Sequence, residues 1–401
     1  MKYNFDEVVL RQSEPGSYSS KWDPNGFIAQ RMGFPEGLPE DRICYFLADM
    51  DYRCPPGIQA KMQEVINHNV YGYTSVPKEY YKAICDWYAR RFDWHFSEDS
   101  IILHHGTHTA VAELVKRYTK EGDGVILFTP SYGYTNDVEP QGRHLVKIPF
   151  ALEGSKHVVD WAAFEEAAKA EENTMLILIQ PHNPTGRCFT EEELKHIGQI
   201  CEDNGVLIVS DEVHIDFARD GVRPLPVMKV LGPKNVITTT AINKIFNTAG
   251  LSVTNTIIAN PELKEKYGPA RASTTPFGVA AVLGGYNDSE EWVDELNTYM
   301  DKLMHHAVDR FHEILPKVKV EYPEGTYILW LDFSPLGLSD EELNKRMYHD
   351  AHVFIGDGSG MDPLPGTQMK RMCLTSTMSV LDEAMDRLAK AFADVKYFFP
   401  N

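Results

Sequence analysis

Val206-Leu207-Ile208-Val209-Ser210-Asp211-Glu212-Val213-His214 is a short apolar run that ends abruptly in two carboxylates. A run of this length reads as a strand, and its near-continuous apolar character means that both faces are covered. The same texture recurs at 101–103, 125–128, 145–148, 175–179 and 236–240, each run bounded by turn residues or charges. Amphipathic helical stretches lie between these runs. Residues 107–121 place Ala110, Val111, Leu114, Val115 and Tyr118 on one face and stop at Gly122; residues 191–204 do the same with Leu194, Ile197 and Ile200 before Gly205. Strands alternating with helices in this way predict an α/β fold with a mainly parallel central sheet and helices on both faces.

From about residue 290 the texture changes to long charged helices, at 291–308 and 382–395, with strands at 318–321 and 327–333 and a helix at 339–350 between them. A chain of 401 residues is too long for one simple core. The expected division is a large α/β domain at 49–289 and a smaller α+β domain made of 1–48 together with 290–401. Hydrophobic residues at 43% and charged residues at 24% suit a globular enzyme, and a net charge of −19 argues against nucleic acid or an anionic membrane as partner. Acidic residues stand near the N-terminus where a signal peptide needs an apolar stretch, and no apolar run is long enough to cross a bilayer. The six cysteines are scattered without framework spacing, which points to reduced thiols in the cytoplasm.

Ligands of an open parallel sheet bind beyond the carboxyl ends of its strands, so the residues after each strand carry the chemistry. After 101–103 comes His104-His105-Gly106-Thr107-His108, where a glycine turn and the N–H groups opening a helix form an anion site suited to phosphate. An ordinary strand-to-helix turn has the same composition. The turn breaks helical geometry between His104 and His108 and no carboxylate accompanies them, so no metal is expected. After 175–179 comes Gln180-Pro181-His182-Asn183-Pro184, in which two prolines restrict the backbone around an amide donor; Asn-Pro also opens turns of no functional meaning. Asp211 ends the 206–210 run, where a carboxylate is costly to desolvate unless a cation such as a protonated pyridine meets it, although an aspartate there also serves as a helix cap. After 236–240, Lys244 lies between Ile242 and Phe246, where burial lowers an amine's pKa and makes it nucleophilic. Phosphate turn, amide, carboxylate and lysine on one sheet edge are together the parts needed to hold pyridoxal phosphate.

At this point the sequence resembles the fold-type I pyridoxal-phosphate superfamily, aspartate aminotransferase-like in fold, and within it the MalY/PatB group of cystathionine β-lyases and carbon–sulfur lyases. The resemblance runs nearly the full length, through Ser20-Lys21-Trp22-Asp23, Ala48-Asp49-Met50-Asp51-Tyr52, Gly72-Tyr73-Thr74, Pro181-His182-Asn183-Pro184 and Ser210-Asp211-Glu212-Val213-His214. It continues through Lys244 with Phe246-Asn247 and Ala249-Gly250-Leu251, and through Glu324-Gly325-Thr326-Tyr327. It implies that Lys244 binds the cofactor aldehyde covalently and moves protons, that Asp211 pairs with the pyridine nitrogen, and that Asn183 bonds the ring hydroxyl near the substrate carboxylate. It further implies a phosphate turn of Gly106, Thr107 and His108, a stacking ring at Tyr132, His214 among the cofactor-binding residues, and Arg371 as a bidentate grip on the substrate α-carboxylate. Tyr73 would reach the phosphate of a neighbouring subunit, which implies a homodimer with shared active sites.

Four positions depart from the family pattern: the usual serine before the lysine is Asn243, the second tyrosine after the stacking ring is Gly133, the arginine is followed by Met372-Cys373, and the usual Cys-Pro-Arg reads Ser376-Thr377-Met378. They leave cofactor binding intact and bear on substrate and reaction. The first expectation is a carbon–sulfur β-lyase that turns cystathionine or cysteine-like amino acids into thiol, pyruvate and ammonia. An aminotransferase on the same scaffold is the second, and a cofactor-bearing regulator acting through a protein partner is the third.

Overall fold

The computed structural model describes residues 1–9, 16–26, 29–30, 32–269 and 274–395. Its strands are β1 (Ile43–Tyr45), β2 (Ile101–His105), β3 (Gly124–Thr129), β4 (His144–Pro149), β5 (Ala151–Glu153), β6 (Lys156–Val158) and β7 (Asn173–Ile179). They continue with β8 (Leu207–Asp211), β9 (Val236–Thr240), β10 (Val253–Ile257), β11 (Ile328–Asp332), β12 (Val353–Asp357) and β13 (Met369–Cys373).

Seven of these form the central sheet in the order β2-β10-β9-β8-β7-β3-β4. Every neighbouring pair from β9 to β4 is parallel, and β10 alone runs against both of its neighbours. Alternate residues of each strand enter two separate cores. Val125, Leu127, Met175, Ile177, Leu207 and Val209 pack on one face. Ile126, Phe128, Leu176, Leu178 and Ile208 pack on the other. Both faces are thus buried, as the unbroken apolar runs require.

From β3 the chain steps outward to β4 and then returns to β7, β8 and β9 on the other side. Such a reversal leaves a crevice beyond the carboxyl ends of the two strands that flank it. The loops after β3 and β7 carry Tyr132 and Asn183, and the Tyr132 N–H donates to the Asn183 carbonyl at 3.1 Å.

The second sheet has the order β1-β12-β13-β11, with β1 parallel to β12 and the other pairs antiparallel. The strand expected at 318–321 is only a single bridge between Lys319 and Asp332. Pro316 and Pro323 bracket it and have no N–H to extend a ladder. The helix expected at 339–350 is an α-helical turn, Asp340–Asn344, that widens into a π-helix over Lys345–Asp350. The helix expected at 291–308 is longer, Glu290–Ile314, with Trp292, Leu296, Met300, Leu303 and Phe311 among its buried residues. Parts of the expected small domain, at 10–15, 27–28, 31 and 396–401, lie outside the described residues.

A buried ion pair ties three remote stretches together. The Lys21 ammonium, with no exposed surface, donates to Asp51 Oδ2 at 2.7 Å and to Thr375 Oγ1 at 2.9 Å. The Trp22 indole N–H donates to the other oxygen of Asp51 at 2.9 Å. Removing one partner of a buried pair leaves the other desolvated, which costs about 3–5 kcal/mol. Lys21→Ala is therefore expected to lower the thermal midpoint clearly, and an unchanged melting curve would show that the pair adds nothing to stability.

Candidate active site

A cavity of about 1080 Å³ opens at the carboxyl edge of the central sheet. Gly106, Thr107, His108, Tyr132, Asn183, Asp211, His214, Lys244 and Arg371 all line it, so nine of the ten expected residues share one wall system. The tenth does not: Tyr73 is wholly exposed, in the irregular segment between helices Pro56–His68 and Lys78–Phe92. Its expected task needs a second copy of the chain.

The turn at 106–108 follows β2 directly and opens helix Thr107–Tyr118. Gly106 adopts φ +93, and a Cβ built there would find nothing nearer than Ser252 Cβ at 4.0 Å. The turn therefore faces open space, with its N–H groups at a helix N-terminus. His104 and His105 belong to β2, where a loop was expected. His104 is buried against Glu113, 3.4 Å away, outside the cavity. Among the described residues no group of three or more His, Cys, Asp or Glu gathers to hold a metal.

Asp211 is the last residue of β8 and is 6% exposed. Desolvation pushes its carboxyl pKa up, opposed by the hydrogen bond from Tyr134 and by the positive neighbours His108 and Lys244. The Tyr134 O–H donates to Oδ2, and the Val213 N–H donates to Oδ1 at 3.2 Å. Tyr134 was not among the expected site residues; the sequence sign was a second tyrosine two positions beyond Tyr132.

Lys244 sits in the loop after β9 and is half-buried. Burial depresses its amine pKa, with Arg371 acting in the same direction and Asp49 and Asp211 against it. Among the described residues no carboxylate forms an ion pair with it. Asn243 beside it accepts from the Val253 N–H at 3.3 Å, which ties the lysine loop to β10.

Arg371 projects from β13 of the small sheet and is 4% exposed. Its Nη2 donates to the Phe46 carbonyl at 3.1 Å, Nη1 approaches Asn183 Oδ1 at 3.5 Å, and its guanidinium carbon lies 5.0 Å from the Tyr132 ring centre. Its buried Nε has no partner among the described residues. Ser376-Thr377-Met378, the departure that follows, is structural: the Tyr45 hydroxyl meets Ser376 Oγ at 2.7 Å, and Thr377 caps helix Met378–Ala391. The His214 ring is 5.5 Å from that of Tyr327, and burial, with Lys244 and Arg371 nearby, holds its pKa well below the usual histidine range.

The profile described as aminotransferase class I and II matches residues 48–388. The chain belongs to this family. Within it, the chain is 32% identical over 398 residues to cystathionine beta-lyase PatB of Bacillus subtilis, covering 97% of this chain and 100% of the relative. In three dimensions it is similar to cystalysin from Treponema denticola, a structure with a pyridoxal 5'-phosphate cofactor, at TM-score 0.90 and 29% identity over 98% of this chain and 100% of that one. The pyridoxal-phosphate-bound carbon–sulfur lyase of Staphylococcus hominis gives TM-score 0.88 and 28% identity, over 97% and 98% of the two chains. The family fold is thus the fold-type I, aspartate aminotransferase-like α/β architecture, with its large, mostly parallel sheet.

Glu212, next to the site carboxylate, points away from the cavity into the core. Its Oε1 accepts from Ser210 Oγ at 2.9 Å and from the Val227 N–H at 2.8 Å, while Oε2 has no partner among the described residues. Burial pushes its pKa from 4.5 up to about 8. The folded chain therefore holds a proton that the unfolded chain releases, and this contribution to stability declines as pH rises from about 4.5 to about 8. Glu212→Gln keeps the shape without the charge. Its stability relative to the parent should rise through that window and level off above it, as read by melting temperature against pH; a pH-independent difference would contradict the assignment.

Proposed function

We propose that this chain is a pyridoxal-phosphate-dependent carbon–sulfur β-lyase that converts cystathionine or a similar cysteine-derived amino acid to a thiol, pyruvate and ammonia. The observation that carries the reading is the pairing, in one cavity, of a buried carboxylate at Asp211 with an amine at Lys244 that no carboxylate neutralises among the described residues. The names of the similar proteins support the lyase chemistry.

The residues present fit the cofactor. A desolvated carboxylate suits a pyridinium N–H, the open glycine turn suits a phosphate, and the half-exposed Tyr132 ring offers a flat face. Asp211 would hold the ring nitrogen, Asn183 the ring hydroxyl, Gly106, Thr107 and His108 the phosphate, and Lys244 the aldehyde carbon, with His214 an uncharged neighbour in the same cavity. When bound, the cofactor supplies an electron sink for the bonds at the substrate Cα. Arg371 would receive the substrate α-carboxylate as a fork, its buried Nε offering a donor not otherwise used. Lys244, its pKa lowered by burial, would be the base that takes the Cα proton and returns one. The departing sulfur leaves as a thiol.

An aminotransferase on the same scaffold is the second reading. At Gly133 a Cβ would meet nothing nearer than Thr135 Oγ1 at 3.8 Å, so the hydroxyl that the resemblance leads one to expect at this place is missing and its space is open. Assembly as a homodimer would bring Tyr73 of one copy to the phosphate turn of the other, and Ile66, Val70 and Tyr71, exposed beside it, would be covered. A division into 49–289 and 1–48 with 290–401 follows the two sheets, and the free cysteines suit the cytoplasm. No helix among the described residues is long and apolar enough to cross a membrane.

Purified protein given L-cystathionine should release pyruvate and thiol without a keto acid, whereas strict dependence on a keto acid would transfer the assignment to the aminotransferase. Lys244→Ala should abolish turnover and the visible absorbance change on adding substrate; repeated turnover by the variant would refute the role of the lysine. Arg371→Ala should raise KM about tenfold or more for α-carboxylate substrates with a smaller effect on kcat. An unchanged KM would mean that another group binds the carboxylate.

A further inference from the structure

The short segment after Tyr132 grips the site at two points. Tyr134 is 3% exposed, and its O–H donates to Asp211 Oδ2. The backbone then turns into the single helical turn Thr135–Val138, with the Asp137 N–H donating to the Tyr134 carbonyl at 2.9 Å. Asp137 in turn meets Nδ1 of His108 at 2.6 Å, and the His108 ring lies 5.7 Å from the Tyr134 ring. Four residues of chain thus link the carboxylate at the end of β8 to the turn at the end of β2. Tyr134 stands one residue beyond Gly133, the position at which the family pattern has its second tyrosine.

We propose that Tyr134 is a positioning residue for Asp211: its O–H donates to the carboxylate and fixes its orientation, while Asp137, three residues on, fixes His108 in the 106–108 turn. The inference rests on the reading that Asp211 faces a cofactor nitrogen, and it assigns the group that keeps Asp211 ready for it. The chemistry is that of a charge-assisted hydrogen bond between two largely buried groups. A donor to a buried carboxylate favours its charged form, and a hydrogen bond to a charged group contributes about 1.5–3 kcal/mol. The other groups facing Asp211 are the Val213 N–H and the positive charges of Lys244 and His108, with Glu212 adjacent in sequence. Burial and the charge of Asp211, with Asp137 adding to them, disfavour loss of the Tyr134 phenol proton, which keeps the tyrosine a donor.

The test compares wild-type protein with Tyr134→Phe, which keeps the ring in its packing, and with Asp211→Asn. Each full-length protein is stripped of and reloaded with pyridoxal phosphate, and the dissociation constant is followed against pH by absorbance. In wild type, affinity falls on the acid side as Asp211 takes up a proton, and Asp211→Asn should erase that limb. Tyr134→Phe should move the limb to higher pH by about one unit, so that affinity at a fixed pH on it drops about tenfold. A Tyr134→Phe profile that overlays wild type, with the limb still absent in Asp211→Asn, overturns the role of Tyr134 alone. A limb that persists in Asp211→Asn overturns the reading of Asp211 and this proposal with it.

Discussion

A nearly buried carboxylate, Asp211, lines the cavity, and most of the cavity is arranged around the cost of its burial. Taking an ionised group out of water is worth several kcal/mol against the fold unless donors or a cation meet it. Asp211 receives one O–H and one N–H, with Lys244 and His108 supplying positive potential from two sides. Those partners stabilise the charge without pairing it directly. The cavity is thereby biased toward an occupant that brings its own N–H and positive charge.

The sheet makes this arrangement possible. Because the chain order reverses beside β3, the loops after β3 and β7 meet at the crevice through the Tyr132–Asn183 backbone bond, and β8 and β9 deliver Asp211 and Lys244 to the same edge. Arg371 closes the far side from a different sheet, so the cavity wall depends on how the two sheets meet. The guanidinium stands over the Tyr132 ring at 5.0 Å, a contact between a β3 loop and a β13 strand that helps to hold that meeting in place.

The parts legible in the sequence are those written in unbroken apolar runs. β7 and β8 announce themselves this way and β9 by Val236-Ile237 ahead of three β-branched threonines, and the residues after them could be assigned to one sheet edge because parallel strands share their direction. β10 did not announce itself: Thr254, Asn255 and Thr256 are polar yet buried, with Asn255 accepting from the Tyr80 hydroxyl at 2.8 Å, and such partners cannot be read from a local pattern. Tyr134 escaped for the same reason, since its partner is 77 residues away. The strand expected at 318–321 had the right alternation, but the prolines on either side left it one bridge long. Tyr73, expected at the phosphate of a neighbouring copy, is exposed and lies apart from the cavity of its own chain.

The clip at Lys21 has a consequence for biosynthesis. Its three parts come from residues 21, 51 and 375, and the strand bearing Arg371 is made almost as late. A ribosome must therefore have polymerised past residue 375 before the ammonium of Lys21 can find its hydroxyl. Every strand of the central sheet precedes residue 258, so the wall that carries the guanidinium is synthesised after the strands it faces.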